Sequence, residues 1–269
     1  MDELIICVAP YPGEKQTEKF PGKMDVADEV IRSHNAGASI AHLHVRDEEG
    51  LQTKSVKWFQ EDLTKIQSAC PIIVEGSTGG APEHTLAERC VSFTVPGVEM
   101  GSLNLGSINM FGDVYRNSIS DIRFYAQELK DRGLRPFQCM FDLSMFYNVI
   151  RLEEEKLLEA PHVYNFVFDA PDTLPFSIKS LEIFLSYLRD GDQWFLTRHH
   201  AKGWKDFLPA LERGGHVRVG YEDGPFLSSG ERANSNAELV EEIVKAADVV
   251  GRKVVGADRA REILGIKPN

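Results

Sequence analysis

No apolar run in the sequence approaches the ~18 residues that a membrane-spanning helix needs, so a helical membrane protein is not expected. The N-terminus lacks a basic segment leading into an apolar one, and no secretory signal is read there. Cysteine is sparse: Cys7, Cys70, Cys90 and Cys139 have neither C-x-x-C nor disulfide-framework spacing. Most lie in apolar runs, which points to buried free thiols, a reducing compartment and a cytoplasmic protein. Positive charge is in deficit, with 30 Lys and Arg against 41 Asp and Glu and a net charge of −11. Nucleic acid and an anionic membrane, which require a net basic face, are thereby excluded as the main partner. An anionic small molecule is not, because its binding depends on local charge in a cleft. No Gly-rich phosphate loop, linker or break in composition divides the 269 residues, so residues 1–269 are expected to form one domain with a substantial core.

What is present is one alternation, repeated. Apolar strand patterns at residues 4–10, 39–45, 71–75, 98–105, 135–143, 162–168, 193–197 and 216–221 alternate with helical patterns. The helices are expected at 25–35, 56–68, 82–90, 114–132, 152–159, 175–189, 204–212 and 236–250, with a short C-terminal extension at 257–264. Eight strand–helix units predict an α/β fold of the (β/α)8 TIM barrel type; a doubly wound open sheet needs no eighth strand. Active sites of such barrels lie where the strands end. Polar residues gather there: His42 and His44, Ser77 and Thr78, Asn104, Asp142, Asp169, His199 and His200, Glu222 and Asp223.

The second strand ends Ile40-Ala41-His42-Leu43-His44-Val45-Arg46-Asp47. Alternation along a strand puts His42 and His44 on one face, where two imidazoles can bind one transition metal. On the eighth strand the same alternation aligns Arg218, Gly220 and Glu222, opposite Val217 and Val219. Strands eight and two flank strand one in a closed barrel, so Glu222 is the natural third ligand; the alternative is that Arg218 and Glu222 form only a buried ion pair. A site of two histidines and one carboxylate, with a position left open, suits polarising a carbonyl. The loop Gly76-Ser77-Thr78-Gly79-Gly80 offers hydroxyls and N–H groups ahead of a helix, suited to a carboxylate, although such loops also merely turn a chain. Ser102 and Asn104 share a face of strand four. His34 and His84 are expected on exposed helices, His162 and His216 at the far ends of their strands, and Glu153-Glu154-Glu155 on a solvated helix face. His199 or His200 is placed to act in catalysis or to bind a phosphate.

Four segments together resemble the β-keto acid cleavage enzymes, best known for 3-keto-5-aminohexanoate cleavage. They are His42-Leu43-His44-Val45-Arg46-Asp47, Ser77-Thr78-Gly79-Gly80, Gly101-Ser102-Leu103-Asn104 and Gly214-Gly215-His216-Val217-Arg218-Val219-Gly220-Tyr221-Glu222-Asp223. The likeness continues to Ala260-Arg261-Glu262-Ile263-Leu264-Gly265. It implies a zinc-dependent barrel, typically a homotetramer, that condenses a β-keto acid with acetyl-CoA and releases acetoacetate and a new acyl-CoA. By motif, His42, His44 and Glu222 would bind the metal, and Asp223, positioned by Arg218, would take the α-proton. Ser77, Thr78 and Gly79 would hold the substrate carboxylate, beside Ser102 or Asn104. A divalent cation and an arginine are what an enolate next to a carboxylate requires. Such a ligand set also accepts other divalent transition metals.

Loop one carries Glu14 and Glu18 beside Lys15 and Lys19, and an inward Glu14 would pair with the cationic end of an amino-keto acid; otherwise it is a solvated loop residue. Competing readings are an amidohydrolase-like hydrolase, an aldolase of the HMG-CoA lyase type, and a non-catalytic metal- or metabolite-binding barrel. Amidohydrolases usually carry His-x-His on strand one and the lyases carry it late. A binding barrel would not need the pair Arg218 and Asp223.

Overall fold

The structure is a computed structural model that describes residues 2–11, 24–80 and 83–267. The chain opens with β1 (Glu3–Leu4), β2 (Ile6–Val8), α1 (Val26–Ala36), β3 (Ile40–Leu43), α2 (Lys57–Ala69) and β4 (Ile73–Gly76). It continues with α3 (Leu86–Arg89), β5 (Val98–Asn104), β6 (Ile108–Met110), β7 (Asp113–Tyr115), α4 (Ile119–Asp131), β8 (Arg135–Met140) and α5 (Ser144–Glu154). β9 (Val163–Phe168), α6 (Ile178–Leu185), β10 (Gln193–Arg198), α7 (Leu208–Glu212), β11 (His216–Val219), α8 (Asn236–Val249), β12 (Lys253–Val254) and α9 (Ala257–Leu264) complete it. Eight parallel strands close in the order β2, β3, β4, β5, β8, β9, β10, β11, and β11 pairs back onto β2. This is the (β/α)8 barrel. No helix of the described residues is long and apolar enough to cross a membrane, and all four cysteines are free and buried.

Alternation splits the apolar residues into two cores. Outward side chains such as Tyr164, Phe166 and Phe168 of β9 pack with Phe146 and Phe184 of the surrounding helices. Inward, Ile5, Cys7, Ile40, Ile73, Met100, Phe137, Val163 and Phe195 fill the lower barrel. Ala257, Ala260 and Leu264 of α9 close that layer from below. Two residues further along the same inward faces the chemistry changes: Ile40 is followed by His42, Ile73 by Glu75, Met100 by Ser102, Val163 by Asn165, Phe195 by Thr197 and His216 by Arg218. The sealed floor thus carries a polar layer, which forms the base of an open cavity at the C-terminal ends of the strands.

Several expected elements are redrawn. The helix expected over 114–132 starts at Ile119, capped by Ser118 and Asp121, because residues before it form the antiparallel hairpin β6–β7. The helix at 82–90 shrinks to α3 followed by a 3-10 turn, Val91–Thr94, and the one at 152–159 lies earlier, as α5. Residues 204–212 split into a 3-10 turn, Trp204–Phe207, and α7. His34 and His84 are half-buried rather than exposed, and His84 precedes α3 instead of lying in a helix. Glu153 is not a free surface charge: it pairs with Arg189 at 2.8 Å and with His162 at 2.9 Å.

Candidate active site

β3 delivers His42, and the chain just past its end delivers His44, with their Nε2 atoms 3.1 Å apart. Glu222 completes the cluster, Oε2 lying 3.2 Å from His44 Nε2 and Oε1 3.5 Å from His42 Nε2. A tetrahedral site with metal–ligand bonds of about 2.0–2.1 Å separates its donors by about 3.3 Å, so these three atoms have the spacing of a metal's ligands. They are the group of His, Cys and acidic side chains able to hold an ion among the described residues.

Glu222 does not arrive by simple alternation. β11 ends at Val219, and Gly220 turns the chain with φ +150°. A Cβ at Gly220 would lie 2.1 Å from the carbonyl oxygen of Ala9, so only glycine fits against the end of β2. The turn is held by the N–H of Glu222 donating to Ala9 O and that of Asp223 donating to Gly220 O, at 3.3 and 3.1 Å.

Behind the ligands stands Glu75, fully buried on the inward face of β4. Its Oε2 meets His42 Nδ1, and its Oε1 accepts from the Ser102 hydroxyl at 2.6 Å. That contact ties up Nδ1 and leaves Nε2 as the nitrogen facing the cluster, the one a metal takes once its proton is displaced. Burial disfavours protonated His42, but Glu75 and then Glu222 outweigh it and raise its pKa to about 9. Burial likewise opposes ionisation of Glu222, yet Arg218, His42 and His44 hold its carboxyl well below the usual range. Arg218 donates to Glu222 Oε1 at 2.7 Å and to both oxygens of Asp223 at 2.9 Å. Asp223 is 3% exposed, and His199 Nε2 stands 3.8 Å from its Oδ1. Burial lowers the pKa of His199, with Asp223 opposing, so this imidazole is neutral. His200 instead turns away in a left-handed conformation, φ 59°, and gives its N–H to Asp223 O.

His42, His44, His199, Arg218 and Glu222 open onto a cavity of about 350 Å³, which also exposes Ser77, Gly79, Ser102 and Asn104, while Asp223 lies behind Arg218. That size suits a small organic substrate. Thr78 is fully buried: its hydroxyl donates to Ser102 O and accepts from Asn104 Nδ2, so it braces the loop and leaves Ser77 and Gly79 to face a ligand. The following helix begins only at Leu86 and is four residues long, so the helix-terminus contribution expected for this loop falls away. Asp142 is exposed and accepts from the Ser144 N–H, and Asp169 pairs with Arg198 at 2.7 Å; neither joins the cluster. Glu14 lies outside the described residues.

Three features escaped the sequence reading. Glu75 follows two apolar residues on β4 and reads as a strand end, although its inward parity was available. Arg46 continues the alternation of His42 and His44 into the cavity wall. It is 5% exposed and lies 4.8 Å over the Tyr11 ring, and its Nε has no hydrogen-bond partner among the described residues. The third is the hairpin β6–β7, whose Met110 and Phe111 line the far wall.

The family described as beta-keto acid cleavage enzyme matches residues 3–266. A 3-keto-5-aminohexanoate cleavage enzyme from Fusobacterium nucleatum is 33% identical over 99% of both chains, and one from Acetoanaerobium sticklandii is 34% identical over the same share. A 3-oxoadipate:acetyl-CoA acetyltransferase from Cupriavidus necator is 29% identical over 86% of this chain and 82% of that one. Among solved structures, apo ObcA shares the fold with a TM-score of 0.73 at 19% identity, over 90% of this chain and 64% of that one.

Proposed function

This chain belongs to the beta-keto acid cleavage enzyme family, and on that premise we propose that it transfers an acyl group from a β-keto acid to CoA, using acetyl-CoA and releasing acetoacetate. The observation that carries the proposal is the triad His42, His44 and Glu222, spaced as metal ligands on the floor of the cavity and backed by Glu75 and Arg218. A divalent ion held there, for which zinc suits two imidazoles and a carboxylate, would supply Lewis-acid polarisation of the keto oxygen.

The chain's own residues do the rest. The Ser77 hydroxyl, oriented by accepting from the Gly79 N–H, and the Arg46 guanidinium hold the substrate carboxylate, with Ser102 and Asn104 beside it. Asp223 accepts a proton from C2, and Arg218 orients it through two hydrogen bonds. Arg218 also lies against the negative charge that develops as that proton leaves. The C2 carbanion attacks the thioester carbonyl of acetyl-CoA, and the CoA thiolate passes to the former C3 acyl carbon. The C2–C3 bond then breaks, its electron pair staying on C2, which takes back the proton held by Asp223. Acetoacetate leaves with C1 and C2 of the keto acid joined to the acetyl group, and the remaining acyl group leaves as its CoA thioester. A cytoplasmic homotetramer completes the proposal; four buried free thiols fit a reducing compartment.

The test is incubation of metal-replete protein with acetyl-CoA and a panel of β-keto acids. Acetoacetate and a matching acyl-CoA are expected in equal amounts. Free acids without a new thioester would mean a hydrolase instead.

A further inference from the structure

We propose that the hairpin β6–β7 is the acyl-tail selector of the site, and that Met110 and Phe111, with Phe141 and Val167, form an end wall for an uncharged alkyl tail. This rests on the function proposed above and names the substrate class.

Pairing of Met110 with Asp113 leaves a two-residue loop, Phe111-Gly112. Both residues have positive φ, 55° and 78°, the signature of a type I′ turn. Such a turn favours Asn-Gly, and a bulky side chain in the left-handed region is strained. Phe111 is also 44% exposed and lines the cavity mouth. A strained left-handed backbone that puts a bulky ring on the rim of the cavity points to a role toward a ligand.

The ring is held in place. The N–H of Phe111 donates to Pro171 O at 3.3 Å, and that of Gly112 donates to Asp172 Oδ2 at 2.8 Å, tying the hairpin tip to the loop after β9. Phe111 then meets the neutral His199 ring edge-on, with centroids 6.3 Å apart. The hairpin therefore reaches from β5 over the mouth to β10. A keto acid whose carboxylate lies at Ser77 and Gly79, beyond β4, extends its tail toward β8 and β9, where Phe141 and Val167 stand. Among the described lining residues the carboxylate is Glu222, already committed to His42, His44 and Arg218. An ammonium group set against these four apolar side chains would lose water and meet no counter-ion among the described lining residues beyond the committed Glu222.

The test compares 3-oxohexanoate with 5-amino-3-oxohexanoate, equal in chain length and different by one ammonium group. Two readouts are taken on zinc-loaded protein: calorimetric binding without acetyl-CoA, and kcat/KM for acetoacetate formation. The native protein should prefer 3-oxohexanoate by about tenfold or more, the scale on which an apolar pocket discriminates. Phe111→Asn keeps the turn in its favoured chemistry and removes the ring, and Phe111→Gly does the same by a second route. Both should retain zinc and cut the preference to about threefold or less. Equal or tighter binding of the amino acid analogue by the native protein would overturn the proposal, as would full discrimination in both variants. Selective binding without acetoacetate would refute the acyl transfer and leave the wall standing; acetoacetate formed without selectivity would do the reverse.

Discussion

Glu75→Gln is the perturbation that most directly probes how the ligand set is held. Glu75 is fully buried and has two partners, the Nδ1 of His42 and the hydroxyl of Ser102 at 2.6 Å. Glutamine keeps the volume but exchanges an anion with two acceptor oxygens for a neutral amide with one. If the amide nitrogen faces His42, two donors oppose each other, and the imidazole must move its proton to Nε2, where the metal should sit. If the amide flips, its oxygen still accepts from Nδ1, but the charge that makes Nε2 a stronger donor is gone. In either case affinity should drop by the ~10- to 100-fold typical of lost outer partners of metal-bound histidines, about 1.4–2.7 kcal/mol. Competition against a chromophoric chelator at fixed pH measures this, with thermal unfolding as a check on the fold. An affinity within twofold of the native protein would remove Glu75 from the account.

Asp223→Asn should bind metal normally and lose at least ~100-fold in turnover, the scale of a general base; near-native turnover would take Asp223 out of the mechanism. Gly220→Ala places a methyl group 2.1 Å from Ala9 O at φ +150°, and should destabilise the chain by at least ~2 kcal/mol in urea unfolding while loosening the metal. A change under ~0.5 kcal/mol would show that the turn gives way freely. His216 is held down to about 3, first by burial and then by Arg252, and stays neutral while its Nδ1 accepts from the Ile5 N–H. The unfolded chain takes up that proton near its ordinary value of about 6.5, so stability is lost as pH falls from there toward 3, by about 3 kcal/mol at pH 4.5. His216→Gln should reduce the acid dependence of unfolding by about one proton, and an unchanged slope would contradict the burial argument.

The barrel was legible because its strands are short apolar runs set between amphipathic helices, a pattern the closed sheet preserves strand by strand. The chemistry at strand ends was legible where alternation carries it, as at His42, His44 and Arg218. It became illegible where geometry stops being periodic. Glu222 was read as the third ligand, but by an alternation that ends at Val219; it reaches the cluster through the turn at Gly220, which depends on the backbone of β2, distant in sequence. Of the hairpin β6–β7 only Val114 and Tyr115 were read, as the start of a helix; its strands are three residues each, and its turn carries Phe111 where Asn would announce it. Thr78 looked like a ligand-facing hydroxyl and turned inward, because Asn104 and the Ser102 carbonyl satisfy it there. Glu75 and Arg46 lay on faces that alternation could have assigned, had their charge been read as inward rather than as the end of a strand.

The most direct test of the central claim follows carbon through the reaction. Acetyl-CoA labelled with carbon-13 at the carbonyl is incubated with metal-replete protein and an unlabelled β-keto acid, and the products are read by NMR. The account predicts label at C3 of acetoacetate and none in the new acyl-CoA, because the acetyl group joins C1 and C2 of the keto acid while CoA moves to the remaining acyl group. Acetoacetate formed without label, or label recovered only as acetate, would contradict it.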